Sequence, residues 1–222
     1  MDKVAILAAY NLDDYISQIV NSVRRYVDAV IVVSDGSSDN THTNALKAGA
    51  MCPEHTSHRG KGFAVRKGIE FSKRFAPRYV VLMDADGQHL PEEIPCVLSP
   101  VENGDQDMVV GSRMKGKLRT SAVNKLGNLL LKAISLLVTG HWFSDTESGF
   151  RAFKADKLYQ LELTAERYEI ESELLIKSLK KGFKVAEVPI NVPRAVPGVT
   201  IIDGVRIGLC KIKFGVQMHF PR

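Results

Sequence analysis

The chain has 222 residues, 45% hydrophobic and 25% charged, an ordinary globular composition with enough apolar material for one sizeable domain. The net charge of +5 comes from Lys and Arg spread along the chain, which excludes the dense basic block of a nucleic-acid binder and suits small anionic ligands or a lipid headgroup surface. Cys52, Cys96 and Cys210 are far apart and form no C-x-x-C pair, so a zinc site and a disulfide framework are excluded and a reducing compartment is expected.

Short β-branched runs alternate with helix-like segments through the first half. Strands are expected at Val4–Ala8, Ala29–Val33, Tyr79–Met83 and Met108–Gly111. Helical spacing lies between them, at Tyr15–Tyr26, Gly62–Phe75 and Pro91–Ser99. The Asp13–Asp14 pair and the Pro91-Glu92-Glu93 start suit first helical turns, where acids meet the positive end of the dipole. Such alternation implies crossover units and an α/β fold with a mostly parallel sheet. Ligands of such sheets bind beyond the carboxyl ends of the strands.

After Gly111 a polar, basic stretch leads to an apolar helix over Asn124–Val138. A loop, a short strand at Phe150–Phe153, a helix around Glu169–Lys181 and a strand at Phe183–Ile190 follow. The run Leu126–Val138 is too short to span a bilayer, and Lys132 interrupts it. The apolar run at the N-terminus is too short for a secretory leader. The chain is therefore expected not to cross a membrane.

The last segment, Ile201–Met218, reads as a helix. Ile202, Val205, Leu209, Ile212 and Val216 form an apolar stripe, broadened by Ile207, Phe214 and Met218, while Arg206, Lys211 and Lys213 supply positive charge. We expect a domain over 1–198 and an amphipathic tail over 199–222 lying on a membrane surface, with packing onto the domain as the rival reading.

Three motifs carry the chemistry. Asp84-Ala85-Asp86-Gly87-Gln88-His89 follows an apolar strand. Alternation in the strand predicts that Asp84 and Asp86, with Gln88 beyond, converge oxygen ligands on Mg²⁺ or Mn²⁺ shared with phosphates. Asp35-Gly36-Ser37 forms a polar turn at a second strand end, where Asp35 could bond a base or ribose and Asp39 an N-cap. Arg59-Gly60-Lys61-Gly62 offers glycines for close approach and a Lys61 charge for phosphate.

Together these elements resemble family-two glycosyltransferases of the GT-A fold, and within them the dolichyl-phosphate mannose synthase-like group. The resemblance runs from about Val4 to Ile190. It implies a three-layer, Rossmann-like fold and a nucleobase loop at Ala9-Tyr10-Asn11. It implies a nucleotide-sugar site including Asp35, Gly36, Ser37, Lys61, Asp84 and Ala85, with metal ligands Asp84, Asp86 and Gln88. Gly111-Ser112-Arg113 is similar to a phosphate-contacting loop, and Asp145 with Ser148-Gly149-Phe150-Arg151-Ala152 to an acceptor-side loop. Tyr168-Glu169-Ile170-Glu171 and Glu187-Val188-Pro189-Ile190 fit the closing helix and strand.

Some positions depart from the family pattern. Ala8 and Leu12 replace the usual Pro and Glu around the opening loop, and Ser34 precedes Asp35 where a second Asp is usual. Asn124-Lys125 stand where the family often carries an Arg, and the late arginine signature is present only loosely, at Arg194.

The resemblance implies an inverting, metal-dependent hexosyltransferase. It would move a sugar from GDP-mannose, UDP-glucose or UDP-N-acetylglucosamine to a dolichyl or polyprenyl phosphate, at the cytoplasmic face of a membrane. Asp86, Arg113 and Asp145 are the expected catalytic residues, and Arg113, Lys125 and Arg194 the expected binders of the acceptor phosphate. Two rivals remain open. One is a family-two transferase acting on a sugar hydroxyl, for which Asp145 would be the base. The other is a nucleotide-sugar-binding subunit without turnover.

Overall fold

The computed structural model describes residues 1–54, 57–113, 122–192 and 201–217. Six strands form one sheet: β1 (Lys3–Ala9), β2 (Ala29–Ser34), β3 (Tyr79–Asp84), β4 (Met108–Ser112), β5 (Arg151–Lys154) and β6 (Val185–Pro189). Their spatial order is β2-β1-β3-β5-β4-β6. All pair in parallel except β5, which runs antiparallel to both β3 and β4. The reversal brings the beginning of β5 to the edge where the parallel strands end.

Nearly every residue of β1 to β4 is buried, as expected for strands covered on both faces. Alternate residues feed two cores. Ile6, Ile31, Val33 and Leu82 face α3 (Lys61–Ser72) and α7 (Ile170–Lys180). Leu7, Val30, Val32 and Val81 face α1 (Asp13–Val23), α2 (Thr41–Lys47) and α4 (Ile94–Glu102). This is the three-layer arrangement.

The expected elements form, with shifted ends. Two short helices were not anticipated: α2, and α6 (Ala155–Leu158). The N-cap of α2 is Asn40, one residue after the expected Asp39, whose Oδ1 accepts the Thr41 N–H at 2.9 Å and Oδ2 the Asp13 N–H at 3.1 Å. Asp39 thereby ties the start of α2 to the start of α1.

The apolar helix is α5 (Ala122–Thr139) and the C-terminal helix is α8 (Ile201–Gln217). Helix α8 packs against α5 and α7. Ile207, Lys211 and Phe214 are its buried side, whereas Val205, Leu209 and Ile212 face outward. Lys211, expected to offer charge to headgroups, is instead wholly buried. The spacing of Ile207, Lys211 and Phe214 follows helical steps of four and three just as the expected stripe does, so periodicity fits both faces. Among the described residues no helix is long and apolar enough to cross a membrane.

Candidate active site

The site lies along the carboxyl edge of the sheet, where the ends of β1, β2, β3 and β4 meet the loop entering β5. On the β1–β2 side, Asn11 sits at a positive φ of 52° and fastens two loops. Its N–H donates to Ser37 Oγ at 3.0 Å, and its Oδ1 accepts the Ser38 N–H at 2.9 Å. Ser34, in place of the family's usual acid, donates to Ser37 Oγ at 2.8 Å. Gly36 has φ 66°, and a Cβ there would lie 2.3 Å from the His58 nitrogen, so only glycine fits this turn.

The Asp35 carboxylate accepts the Arg59 N–H at 3.0 Å and the Gly60 N–H at 2.7 Å, with His58 Nδ1 at 3.0 Å. It therefore holds the Arg59–Gly60 loop against the end of β2. The Ala9 carbonyl accepts the Asp35 N–H at 2.8 Å, which joins the expected opening loop to this turn. The exposed Tyr10 ring lies 4.2 Å from the His58 ring, centroid to centroid. The expected nucleotide residues Ala9, Tyr10, Asn11, Asp35, Gly36 and Ser37 are thus brought together at one edge.

At the centre, Lys61 Nζ lies 2.5 Å from Asp84 Oδ1 and 2.6 Å from Glu171 Oε1. Burial works against the Asp84 charge, but Lys61, then His89 and Arg113, overcome it and bring this carboxyl down to about 2. Burial raises the Glu171 carboxyl and Asp84 adds repulsion, against the pull of Lys61. Two carboxylates sharing one ammonium separate in this way, Asp84 downward and Glu171 upward. Glu169 and Glu171, at the start of α7, are both buried.

Of the expected ligands Asp84, Asp86 and Gln88, the last two are joined directly, and Asp84 stands at the end of β3. Strand β3 ends at Asp84, and the turn that holds Asp86 and Gln88 follows. Asp84 turns inward to Lys61 and packs on Gly149, where a Cβ would lie 2.4 Å from its Oδ2. Asp86 lies in the exposed turn beyond, its Oδ1 accepting the Gln88 N–H at 3.0 Å and its Oδ2 the Gln88 Nε2 at 2.7 Å. Ala85 between them is buried in the core.

Among the described residues no three His, Cys, Asp or Glu side chains cluster to hold a metal by themselves. An exposed carboxylate beside an amide is nonetheless a donor set that fits Mg²⁺ or Mn²⁺, which bind through one or two protein oxygens plus phosphate and water. His89 is buried and its Nδ1 accepts the Asp84 N–H at 3.2 Å. Burial lowers its pKa to about 4, so the ring is neutral and serves the turn structurally.

On the β4 side, Arg113 joins the two halves of the edge. Its backbone N–H and Nε donate to Asp145 Oδ2 at 3.1 and 2.7 Å, and its Nη2 to Asp145 Oδ1 at 2.9 Å. Its Nη1 reaches toward Gln88 Oε1 at 3.5 Å. Burial would raise the Asp145 carboxyl, but the guanidinium holds it below the ordinary carboxylate range. Glu187, on β6, accepts the Ser144 and Asp145 N–H groups at 2.9 Å each. Arg151, wholly buried, donates to the carbonyls of Ser148, Thr146 and Glu171 at 2.8, 3.0 and 2.5 Å. Lys125 lies in the first turns of α5, of which only the backbone is described, and Arg194 lies outside the described residues.

A sheet of this order with these groups along its carboxyl edge defines a GT-A-fold glycosyltransferase. The chain belongs to glycosyl transferase family 2, whose model matches residues 4–161. Its relatives place it with the dolichyl-phosphate mannose synthase-like members. It is 34% identical to the UDP-N-acetylglucosamine–dolichyl-phosphate N-acetylglucosaminyltransferase of Methanococcus voltae, over 84% of this chain and 83% of that one. It is 30% identical to the polyprenol monophosphomannose synthase of Mycolicibacterium smegmatis, over 99% of this chain and 89% of that one. The fold matches glucosyl-3-phosphoglycerate synthase from Mycobacterium tuberculosis bound to Mn²⁺, UDP and glucosyl-3-phosphoglycerate. There the TM-score is 0.75 at 23% identity, covering 100% of this chain and 81% of that one, a likeness of fold alone.

Glu147, partly buried against Lys211, was missed as a functional residue; Glu171 and Glu187 had entered only through the resemblance. These partners lie between 23 and 110 residues apart in sequence, from Lys61 to Asp84 up to Lys61 to Glu171, with Asp145 to Glu187 and Glu147 to Lys211 between, so no local spacing marks them.

Proposed function

We propose that this chain transfers a hexose from a nucleotide-sugar to a polyprenyl phosphate by direct displacement with inversion. The observation that carries this reading is the state of Asp145. Its carboxylate is buried, takes three bonds from Arg113 and is acidified by it. A group so held is a poor general base, and a hydroxyl acceptor would need one. A phosphate monoester needs none, because its second pKa of about 6 leaves it nearly dianionic at neutral pH. The Arg113 side chain keeps 20% of its surface exposed, which supports a role in orienting such a phosphate.

The acceptor phosphate oxygen attacks the anomeric carbon. The bond from that carbon to the nucleoside diphosphate breaks, and the diphosphate leaves with the electron pair; no proton need move. Tyr10, Asn11 and the Asp35–Ser37 turn hold the nucleoside, and Lys61 supplies positive charge near Asp84. Asp86 and Gln88 would hold Mg²⁺ or Mn²⁺, which neutralises charge on the leaving diphosphate. The candidate donors are GDP-mannose, UDP-glucose and UDP-N-acetylglucosamine; the names of the two relatives support both a mannosyl and an N-acetylglucosaminyl donor.

A polyprenyl phosphate stays in its bilayer, so the enzyme must meet it there. Leu129, Leu130 and Leu137 of α5 and Val205, Leu209 and Ile212 of α8 are exposed on two helices that pack together. Arg206 and Lys213 lie exposed on the same helix as the last three. This apolar face with basic neighbours supports peripheral docking on the cytoplasmic side.

The test is transfer from each donor, with Mn²⁺ or Mg²⁺, to a polyprenyl phosphate and to the corresponding polyprenol. Transfer to the phosphate alone is expected. Transfer to the alcohol, or to a sugar hydroxyl in preference, would overturn the reading.

A further inference from the structure

Helix α8 lies beyond the family match, yet it sends one charged side chain into the heart of the acceptor side. Lys211 is wholly buried. Its Nζ donates to the Leu131 carbonyl at 3.0 Å and Ser135 Oγ at 2.8 Å, both on α5, and to Thr146 Oγ1 at 3.0 Å. It also pairs with Glu147 Oε1 at 2.8 Å. Glu147 in turn accepts from Thr146 Oγ1 at 2.9 Å and from Ser172 Oγ on α7 at 3.0 Å. One ammonium thus joins α8, α5 and the loop that carries Asp145.

A buried ion pair is weak evidence for stability, because well-packed apolar side chains in its place are often as stable or more so. The neighbours of Lys211 on the same face, Ile207 and Phe214, are apolar and buried. Covering α5 alone would therefore favour a third apolar residue. What Lys211 adds is a fixed position for residues 146 and 147. The Glu147 N–H donates to Asp145 Oδ1 at 3.3 Å, so the connection runs directly to the carboxylate that orients Arg113.

We propose that Lys211 is a positioning residue that, through Glu147, fixes the Asp145 loop and with it the approach of the acceptor. This rests on the phosphate-acceptor reading above. It also gives α8 a role beyond any contact with lipid: the helix with an outward apolar face is fastened by its inward face to the acceptor loop.

The experiment uses the full chain with Lys211→Met and the double variant Lys211→Met/Glu147→Gln. The single variant leaves the partly buried Glu147 carboxylate without its counter-charge and loses thermal stability; the double variant removes both charges and restores it. In the double variant, the KM for polyprenyl phosphate is expected to rise about tenfold to a hundredfold, as a small misplacement at a reacting centre does, while the nucleotide-sugar KM stays within about twofold. Hydrogen exchange at the Asp145 and Glu147 amides is expected to accelerate in the same variant. Restored stability with wild-type acceptor KM and wild-type exchange would make Lys211 structural only and overturn the proposal. Donor and acceptor KM rising together would overturn it as well. If the wild type fails to use polyprenyl phosphate, the acceptor reading falls, and the exchange measurement alone decides the Lys211 claim.

Discussion

Replacing Asp145 by Asn separates a carboxylate that positions from one that takes a proton. In the wild type its two oxygens accept from Arg113 Nε, Nη2 and backbone N–H at 2.7, 2.9 and 3.1 Å. Asn keeps one acceptor oxygen but presents an NH₂ where the second stood, and it removes the charge. A hydrogen bond to a charged group contributes about 1.5–3 kcal/mol. The Arg113 side chain is only partly buried, which places the loss near the lower end, at about 2 kcal/mol. For a chain of this size that lowers Tm by about 4–8 °C. Arg113 is then free to swing, so the acceptor KM rises while the nucleotide-sugar KM holds. Thermal unfolding and two-substrate kinetics on the purified variant measure both. A general base would behave differently: kcat would fall by about 10²–10⁴ with the acceptor KM unmoved. That result would refute the positioning role and favour a hydroxyl acceptor.

Three other outcomes follow from the same geometry. Gly149→Ala places a Cβ 2.4 Å from Asp84 Oδ2, so the carboxylate must move off Lys61; donor affinity is expected to drop while Tm changes little, and calorimetric titration with the nucleoside diphosphate would show it. The Glu147 carboxyl lies below its ordinary 4.5, because the charge of Lys211 and its hydrogen bond overcome the effect of burial. Its contribution to stability is therefore complete above pH 4.5 and lost as pH falls through the lower folded value. Glu147→Gln should flatten that acid limb in a pH series of unfolding curves, and parallel curves would remove Glu147 from the account. Leu137→Glu with Leu209→Glu alters only exposed positions, so the fold should persist while co-flotation with anionic vesicles is lost; undiminished flotation would move the docking face elsewhere.

The sheet was legible because strands buried on both faces are continuous apolar runs, and Gly and Asp turns punctuate them. The Asp35 turn and the Asp84–Gln88 turn could be placed for the same reason. Misreadings arose where a local rule met a longer-range partner. Alternation in β3 says nothing of Lys61, which reaches Asp84 from 23 residues upstream. Glu171 at a helix start is chemically indistinguishable from a solvated acid until Lys61 is brought 2.6 Å from it. Lys211 looked like a headgroup contact because a lysine amid apolar residues commonly lies at the edge of a stripe. Its true partner, Glu147, comes from 64 residues upstream and reverses the assignment.

The central claim is displacement at the anomeric carbon by a phosphate oxygen, and the product reports on it directly. The wild-type chain, given a nucleotide-sugar it accepts, a divalent cation and a polyprenyl phosphate, should form one lipid product. Nuclear magnetic resonance of that product should show the anomeric proton coupled to a single phosphorus, with a configuration opposite to the donor's. A product with retained configuration, or with its sugar bonded to a carbon-borne hydroxyl and no coupling to phosphorus, would contradict the account.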